Sequence, residues 1–297
     1  MSWVAFAFIF ALFFAFASSS FVTALRRFNI NRLRGGLLAA ALLTPYLLVA
    51  LPQAQDNAGE FLGGLARMAA YLAVPTIAML FRRAERKPFD LFDITAILAL
   101  WFPIEFDWLP DAPLRLAGIS LPLAKLLAVD LAFLLFLVLR PLEGLGYSFR
   151  LRGADFKTVL LAMTAYSVIG LPLGILARFL IPGLAPFQPL EWLLGLVLGY
   201  LLVALPEELL FRGIIQNMLQ QRWGKTWATL LAAAVIFGLA HLNNGTTNYP
   251  EPNWMYALMA ALAGLAYGWT WRRTGKITAS AATHALVNFV WGVVFGG

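Results

Sequence analysis

The sequence predicts an all-α, polytopic transmembrane helical bundle of about ten spans. Three observations predict it. Of 297 residues, 61% are hydrophobic and 12% are charged, with mean hydropathy +0.77, whereas a soluble domain carries about 25% charged residues. The apolar runs are longer than the roughly ten residues of a membrane β-strand. Backbone groups in lipid must be satisfied inside the segment, which leaves helices. Finally, the basic residues alternate along the chain in the way that spans crossing back and forth require.

The elements follow in chain order. Residues 3–25 form the first apolar run. No basic segment precedes it, and it is longer than the roughly 7–15 residues of a signal-peptide core, so it reads as a retained span. Runs at 35–52 and 61–81 follow. The fourth, 92–103, is short for a ~20-residue crossing and reads as starting in the preceding loop or as re-entrant. Runs at 117–139, 157–180, 189–211, 226–242, 253–271 and 277–295 complete the set.

The charges orient these spans. Arg26, Arg27, Arg32 and Arg34 follow the first span, and Arg82, Arg83, Arg86 and Lys87 the third. Arg140, Arg150, Arg152 and Lys157 follow the fifth, Arg222 and Lys225 the seventh, and Arg272, Arg273 and Lys276 the ninth. The opposite loops hold acidic residues, among them Asp56, Glu60, Glu105, Asp107, Asp111, Glu191 and Glu251. This is positive-inside asymmetry, and it places both termini outside. The formal charge of +7 is thus topological or faces anionic lipid, and nucleic acid is not an expected partner. Tryptophans near span ends, such as Trp192, Trp223, Trp254 and Trp271, fit an interfacial belt. There is no cysteine, which excludes disulfide and thiolate chemistry.

Polarity inside the spans is uneven, and a boundary is expected near residue 155. Residues 1–155 would be N-terminal helices of unassigned role, and 156–297 the functional core. Deep polar groups gather from the seventh span onward: Glu207, Glu208, Arg212, His241, His284 and Asn288. The only two histidines of the chain are among them. Ionisable groups inside a membrane mark functional sites by default. Glu208 and His241 stand nearly the same number of residues either side of Gly224, about 25 Å along their helices, so an antiparallel pair would hold them at one level. His284 and Asn288 are i, i+4 on one face, roughly 14 and 20 Å from the turn near Gly275. The polar residues Gln216, Asn217, Gln220 and Gln221 are expected to project past the inner membrane surface.

Residue types then give chemistry. Glu208 and Arg212 are i, i+4 with the acid N-terminal, the favourable orientation for a structural ion pair. Glu207 points about 100° away, without a local partner. A carboxylate so placed can act as a general base. With His241 it could activate water, while His284 and Asn288 supply donors for a developing oxyanion. Together these point to peptide-bond hydrolysis inside the membrane.

E-E-x-x-x-R (Glu207, Glu208, Arg212), F-x-x-x-H (Phe237, His241) and H-x-x-x-N (His284, Asn288) resemble the motifs of the CAAX-type intramembrane endopeptidases, the CAAX protease and bacteriocin-processing family, over roughly residues 160–295. The resemblance implies that Glu207 and His241 activate water, that His284 and Asn288 form the oxyanion hole, and that Glu208 and Arg212 support the site. It also implies a membrane-embedded or lipid-anchored protein or peptide substrate. No cofactor is expected. If a divalent metal such as zinc takes part instead, Glu207, His241 and His284 are its expected ligands, although no H-E-x-x-H helix is present. The same charges would serve a proton or ion relay in a transporter, or a polar network in a non-catalytic immunity or scaffold protein. Outside the cluster, Arg67 and Lys125 are expected to snorkel, and Asp130 to pair with one of them.

Overall fold

The computed structural model describes residues 1–29, 31–54 and 57–295. Asp56, assigned above to an outer loop, lies outside them. The chain folds as two compact units, Met1–Glu143 and Gly144–Gly297. Both are helical bundles, as the sequence predicts, and the chain is an integral membrane protein. Among the described residues, five helices are long and apolar enough to cross a membrane, or up to six if a sharply bent pair counts as one span.

The first unit opens with that pair, α1 (Ser2–Ala15) and α2 (Ser19–Phe28), bent by 102°. The expected straight span 3–25 is therefore broken. Its run of Ser18, Ser19 and Ser20 gives the physical reason, since serine hydroxyls compete for helix backbone and favour caps over helix interiors. Helices α3 (Arg32–Ala41) and α4 (Thr44–Ala50) together make the second apolar stretch. Helix α5 (Ala58–Phe81) starts on Asn57, whose side chain accepts from the Glu60 N–H at 3.1 Å. Helix α6 (Leu91–Glu105) starts in a capping box of Asp90 and Asp93. The expected fifth span does not begin at 117. A hairpin of β1 (Leu114–Leu116) and β2 (Ile119–Leu121) occupies that point, turned by Ala117 and Gly118 at φ 47° and 84°, the paired positive φ of a two-residue hairpin turn. Helix α7 (Leu123–Phe133) follows and widens into a π-helical stretch through Leu139.

One cluster of charges in this unit is paired. Asp93 holds Arg140 at 2.6 Å and Arg82 at 3.2 Å, and Arg82 also meets Asp90 at 3.0 Å. Arg67 reaches the Trp108 carbonyl at 3.3 Å, and Lys125 is exposed. Asp130 does not pair with either. It is fully buried, and neither carboxyl oxygen has a hydrogen-bond partner among the described residues.

The second unit holds α8 (Gly153–Leu176), α9 (Pro189–Trp223), α10 (Trp227–Leu239), α11 (Trp254–Thr274) and α12 (Ile277–Val294). Helix α9 runs for 35 residues, about 50 Å, well beyond a ~30 Å hydrocarbon core. It is not uniform. Two π-helical stretches, Tyr200–Ala204 and Leu209–Gln216, flank a single α turn, Leu205–Glu208. Pro206 gives a cause for the first: it has no N–H for the Leu202 carbonyl, and its ring crowds that carbonyl. Such π turns recur at functional sites, and here they bracket Glu207 and Glu208.

Close helix approach sets the depth of the site. Gly264 and Gly268 form a small-xxx-small step on α11. A side chain at Gly264 would sit 3.1 Å from the Phe237 ring and 3.4 Å from the Arg212 guanidinium, and one at Gly268 would run into the Gln216 amide. On α10, a side chain at Gly238 would strike the Ala257 carbonyl. Gln216, Asn217 and Gln220 are buried, and Gln216 donates to the Gly268 carbonyl at 3.1 Å. Gln221, the fourth of these residues, is exposed. The helix-joining turns are pinned as well. Arg272 donates to the carbonyls of Thr226 and Lys225 at 3.1 and 3.0 Å, and Gly275 closes α11 at φ 67°.

Candidate active site

Glu207 and Glu208 sit on one turn of α9 but have opposite environments. Glu208 is fully buried and fully partnered. Its Oε2 meets Arg212 Nε at 3.0 Å and the Ser280 hydroxyl at 2.6 Å, and its Oε1 meets His284 Nδ1 at 3.0 Å. The Arg212 guanidinium lies 4.6 Å from the Phe237 ring centre and 5.8 Å from that of Tyr267, faces that attract a cation. The expected Glu208–Arg212 pair is present, and Glu208 has a further contact that spacing did not reveal: it grips a histidine.

Glu207 is 32% exposed, and its buried Oε2 has no hydrogen-bond partner among the described residues. That oxygen lies 3.9 Å from His241 Nε2 and 3.9 Å from His284 Nε2. The structure therefore brings together Glu207 of α9, His241 in the turn just past α10, and His284 of α12. All three, with Asn288, line one cavity of about 210 Å³, large enough for several waters.

The far side of each imidazole is committed. His241 Nδ1 is 2.8 Å from the Phe237 carbonyl. A carbonyl only accepts, so Nδ1 carries the proton and the neutral ring turns a bare Nε2 toward Glu207. His284 Nδ1 donates to Glu208 in the same manner. A neutral His284 would thus also present a bare Nε2, and it can donate from Nε2 only as an imidazolium. The rings are clamped by aromatic faces. Tyr256 stacks on His241 at 5.3 Å and 23°, Tyr267 stacks on His284 at 4.5 Å and 12°, and Phe237 stands edge-on to His284 at 5.8 Å.

Spacing alone did not find Tyr256, Tyr267 or Ser280. Tyr267 lies inside the Gly264–Gly268 step, and Ser280 lies one turn before His284. Those were the signals available in the sequence. Tyr256 lines the cavity, and only the fold brings it there; Asn244, in the polar loop that follows His241 in the sequence, lines it too. The polar loop after α10 is strapped to the end of α8 by Asn248 donating to the Arg178 carbonyl at 2.8 Å and Tyr249 donating to that of Ala177 at 2.5 Å.

Two helices and the turn after a third deliver Glu207, two oriented imidazoles and the Asn288 amide to one cavity, with Glu208 buried behind His284. Residues 189–290 match the type II CAAX prenyl endopeptidase Rce1-like family model. The matched segment begins with α9 and ends within α12, so it contains every residue of the cluster, and it indicates a protease. No curated protein and no solved structure matches the chain significantly.

Proposed function

We propose that the protein is an intramembrane endopeptidase of the CAAX type, acting on a membrane-embedded or lipid-anchored protein or peptide. The observation that carries this reading is the position of Glu207 Oε2, a carboxylate oxygen without a hydrogen bond, equidistant at 3.9 Å from two imidazole Nε2 atoms in one cavity. That gap leaves room for a water bridging base and imidazole.

In this mechanism Glu207 takes a proton from the bound water, with His241 Nε2 accepting a hydrogen bond from the same water. The hydroxide attacks the scissile carbonyl carbon, and the carbonyl electrons move to oxygen. Asn288 and the imidazolium form of His284 donate to that oxyanion. Glu208 keeps His284 oriented and offsets its charge. The tetrahedral intermediate collapses with C–N cleavage, and the leaving amine takes the proton held by Glu207. A positioned acid/base group contributes ~10²–10⁴-fold and an oxyanion donor about 10²–10³-fold.

Water activation is assigned to Glu207 with His241, whose Nε2 lies 3.9 Å from the Glu207 carboxylate. Chelation of divalent metals is expected to leave turnover of the purified protein unchanged. Activity abolished by a chelator and restored by zinc would move the assignment to a metal held by Glu207, His241 and His284. The decisive experiment compares the C-terminal peptides of membranes carrying wild type or Glu207→Gln protein. Uncut precursors should accumulate in the variant. An unchanged set of C-termini would overturn the protease reading.

A further inference from the structure

One end of the first unit is basic and held in place. Arg26 Nε donates to the Leu137 carbonyl at 2.6 Å, and Arg32 Nε to the Leu80 carbonyl at 3.2 Å. A side chain at Gly35 would press on both Leu80 and Leu139. These contacts bring α2, the start of α3, the end of α5 and the π stretch after α7 to one place. The loop after α5 is tied to it, since Arg82 and Arg140 share Asp93 and Arg82 also donates to the Arg86 carbonyl at 2.8 Å. Around this junction Arg26, Arg27, Arg32, Arg83, Arg86 and Lys87 are exposed, and none of them is in an ion pair among the described residues. Asp90 and Asp93 are spent on Arg82 and Arg140, which leaves Glu85 as the exposed carboxylate of that loop.

Positive-inside sorting explains why these charges lie on one side. It does not ask for guanidiniums fixed together. Of their donors, Arg26 and Arg32 engage only Nε among the described residues, so their terminal nitrogens are left for a ligand. Arg32 lies over the Phe81 ring at 4.3 Å, Arg34 over Phe28 at 5.3 Å and Arg86 over Phe92 at 5.0 Å. Planar forks ordered beforehand match phosphate oxygens two at a time and lose little freedom on binding.

The apolar residues among them select the carrier of the phosphate. Phe28, Leu33 and Phe81 are exposed beside the guanidiniums. Helix α2 sets Phe21, Leu25 and Phe28 on one face and Arg26 and Arg27 on another, the pattern of a helix lying in the headgroup layer. Its 102° bend turns it across α1. A soluble anion would meet the charges and leave the two rings and Leu33 in water. A phospholipid meets both, with phosphate on the arginines and acyl chains on the apolar side.

We propose that this end of the first unit binds anionic phospholipid, its phosphate held by the arginines of α2 and α3 and its chains laid against Phe28, Leu33 and Phe81. The endopeptidase reading is not needed for it.

The test photolabels the full-length protein in phosphatidylcholine liposomes carrying a trace of diazirine-bearing phosphatidylglycerol or phosphatidylcholine. The phosphatidylglycerol probe should label α2, α3 and the loop after α5 above the phosphatidylcholine probe. Unlabelled phosphatidylglycerol should compete, and inorganic phosphate should not. Arg27 and Arg83 have no side-chain hydrogen bond or ion pair among the described residues, so Arg27→Gln with Arg83→Gln should leave the melting midpoint unchanged. Labelling should fall about fivefold for each arginine removed. Arg32→Lys keeps the charge and should still lose labelling, because an ammonium has no fork. Equal labelling by the two probes, or a signal unchanged in the double variant, would overturn the proposal. So would competition by inorganic phosphate, which makes the site one for a free anion, or full labelling of Arg32→Lys, which reduces it to surface charge.

Discussion

At the scale of single residues, the two adjacent carboxylates are separated by what surrounds them. Glu208 is held by Arg212, Ser280 and His284 in a site without solvent. Removing one partner of a buried ion pair costs about 3–5 kcal/mol because the other charge is left uncompensated. Glu208→Gln is therefore expected to lower the unfolding midpoint in detergent markedly, along with activity. Ser280→Ala should cost about 1–3 kcal/mol by removing the shortest bond to that carboxylate, and the same melting experiment reads it. Glu207→Gln should behave oppositely. Its buried Oε2 has no hydrogen-bond partner among the described residues, so the melting midpoint should hold while turnover falls ~10²–10⁴-fold. Equal loss of stability in Glu207→Gln and Glu208→Gln would contradict this division. The residue types and the i, i+4 spacing made the Glu208–Arg212 pair legible in the sequence. The grip of Glu208 on His284 was not, because those residues are brought together from separate helices.

At the scale of elements, α9 carries the site because it is not a regular helix. Pro206 stands on the turn that bears both glutamates, between two π stretches. Hydrophobic periodicity reads the run as one span and cannot show where a turn widens. The polar residues near its end were legible as polar, but not that Gln216, Asn217 and Gln220 are buried while Gln221 is exposed. The Gly264–Gly268 step on α11 explains how such a helix is approached so closely. A bulkier residue at Gly268 would displace Gln216. Gly268→Val is expected to destabilise by about 1–3 kcal/mol through overpacking, measured as a lower melting midpoint. Activity should fall with it, since Tyr267, stacked on His284, is the preceding residue. Retained stability in that variant would show that the step does not set the helix spacing.

At the scale of the whole molecule, the alternation of basic and acidic loops gives an orientation that can be checked directly, because the chain has no cysteine of its own. With both termini outside, Glu251→Cys should react with a membrane-impermeant maleimide on intact cells, and Lys225→Cys only after permeabilisation. The reverse pattern would invert the proposed topology. The sequence by itself determined the helical membrane class, the family resemblance and the list of cluster residues. It could do so because long apolar runs and rare intramembrane charges are composition-level signals that need no partner to be seen. It did not determine the break between α1 and α2, the hairpin before α7, the lone burial of Asp130, or the tautomer imposed on each histidine. Those depend on which backbone carbonyls and side chains from distant parts of the chain come within 3 Å. The basic end of the first unit belongs to the same class, since Arg26, Arg32 and Arg86 come to one junction only when α2, α3 and α5 have been packed together.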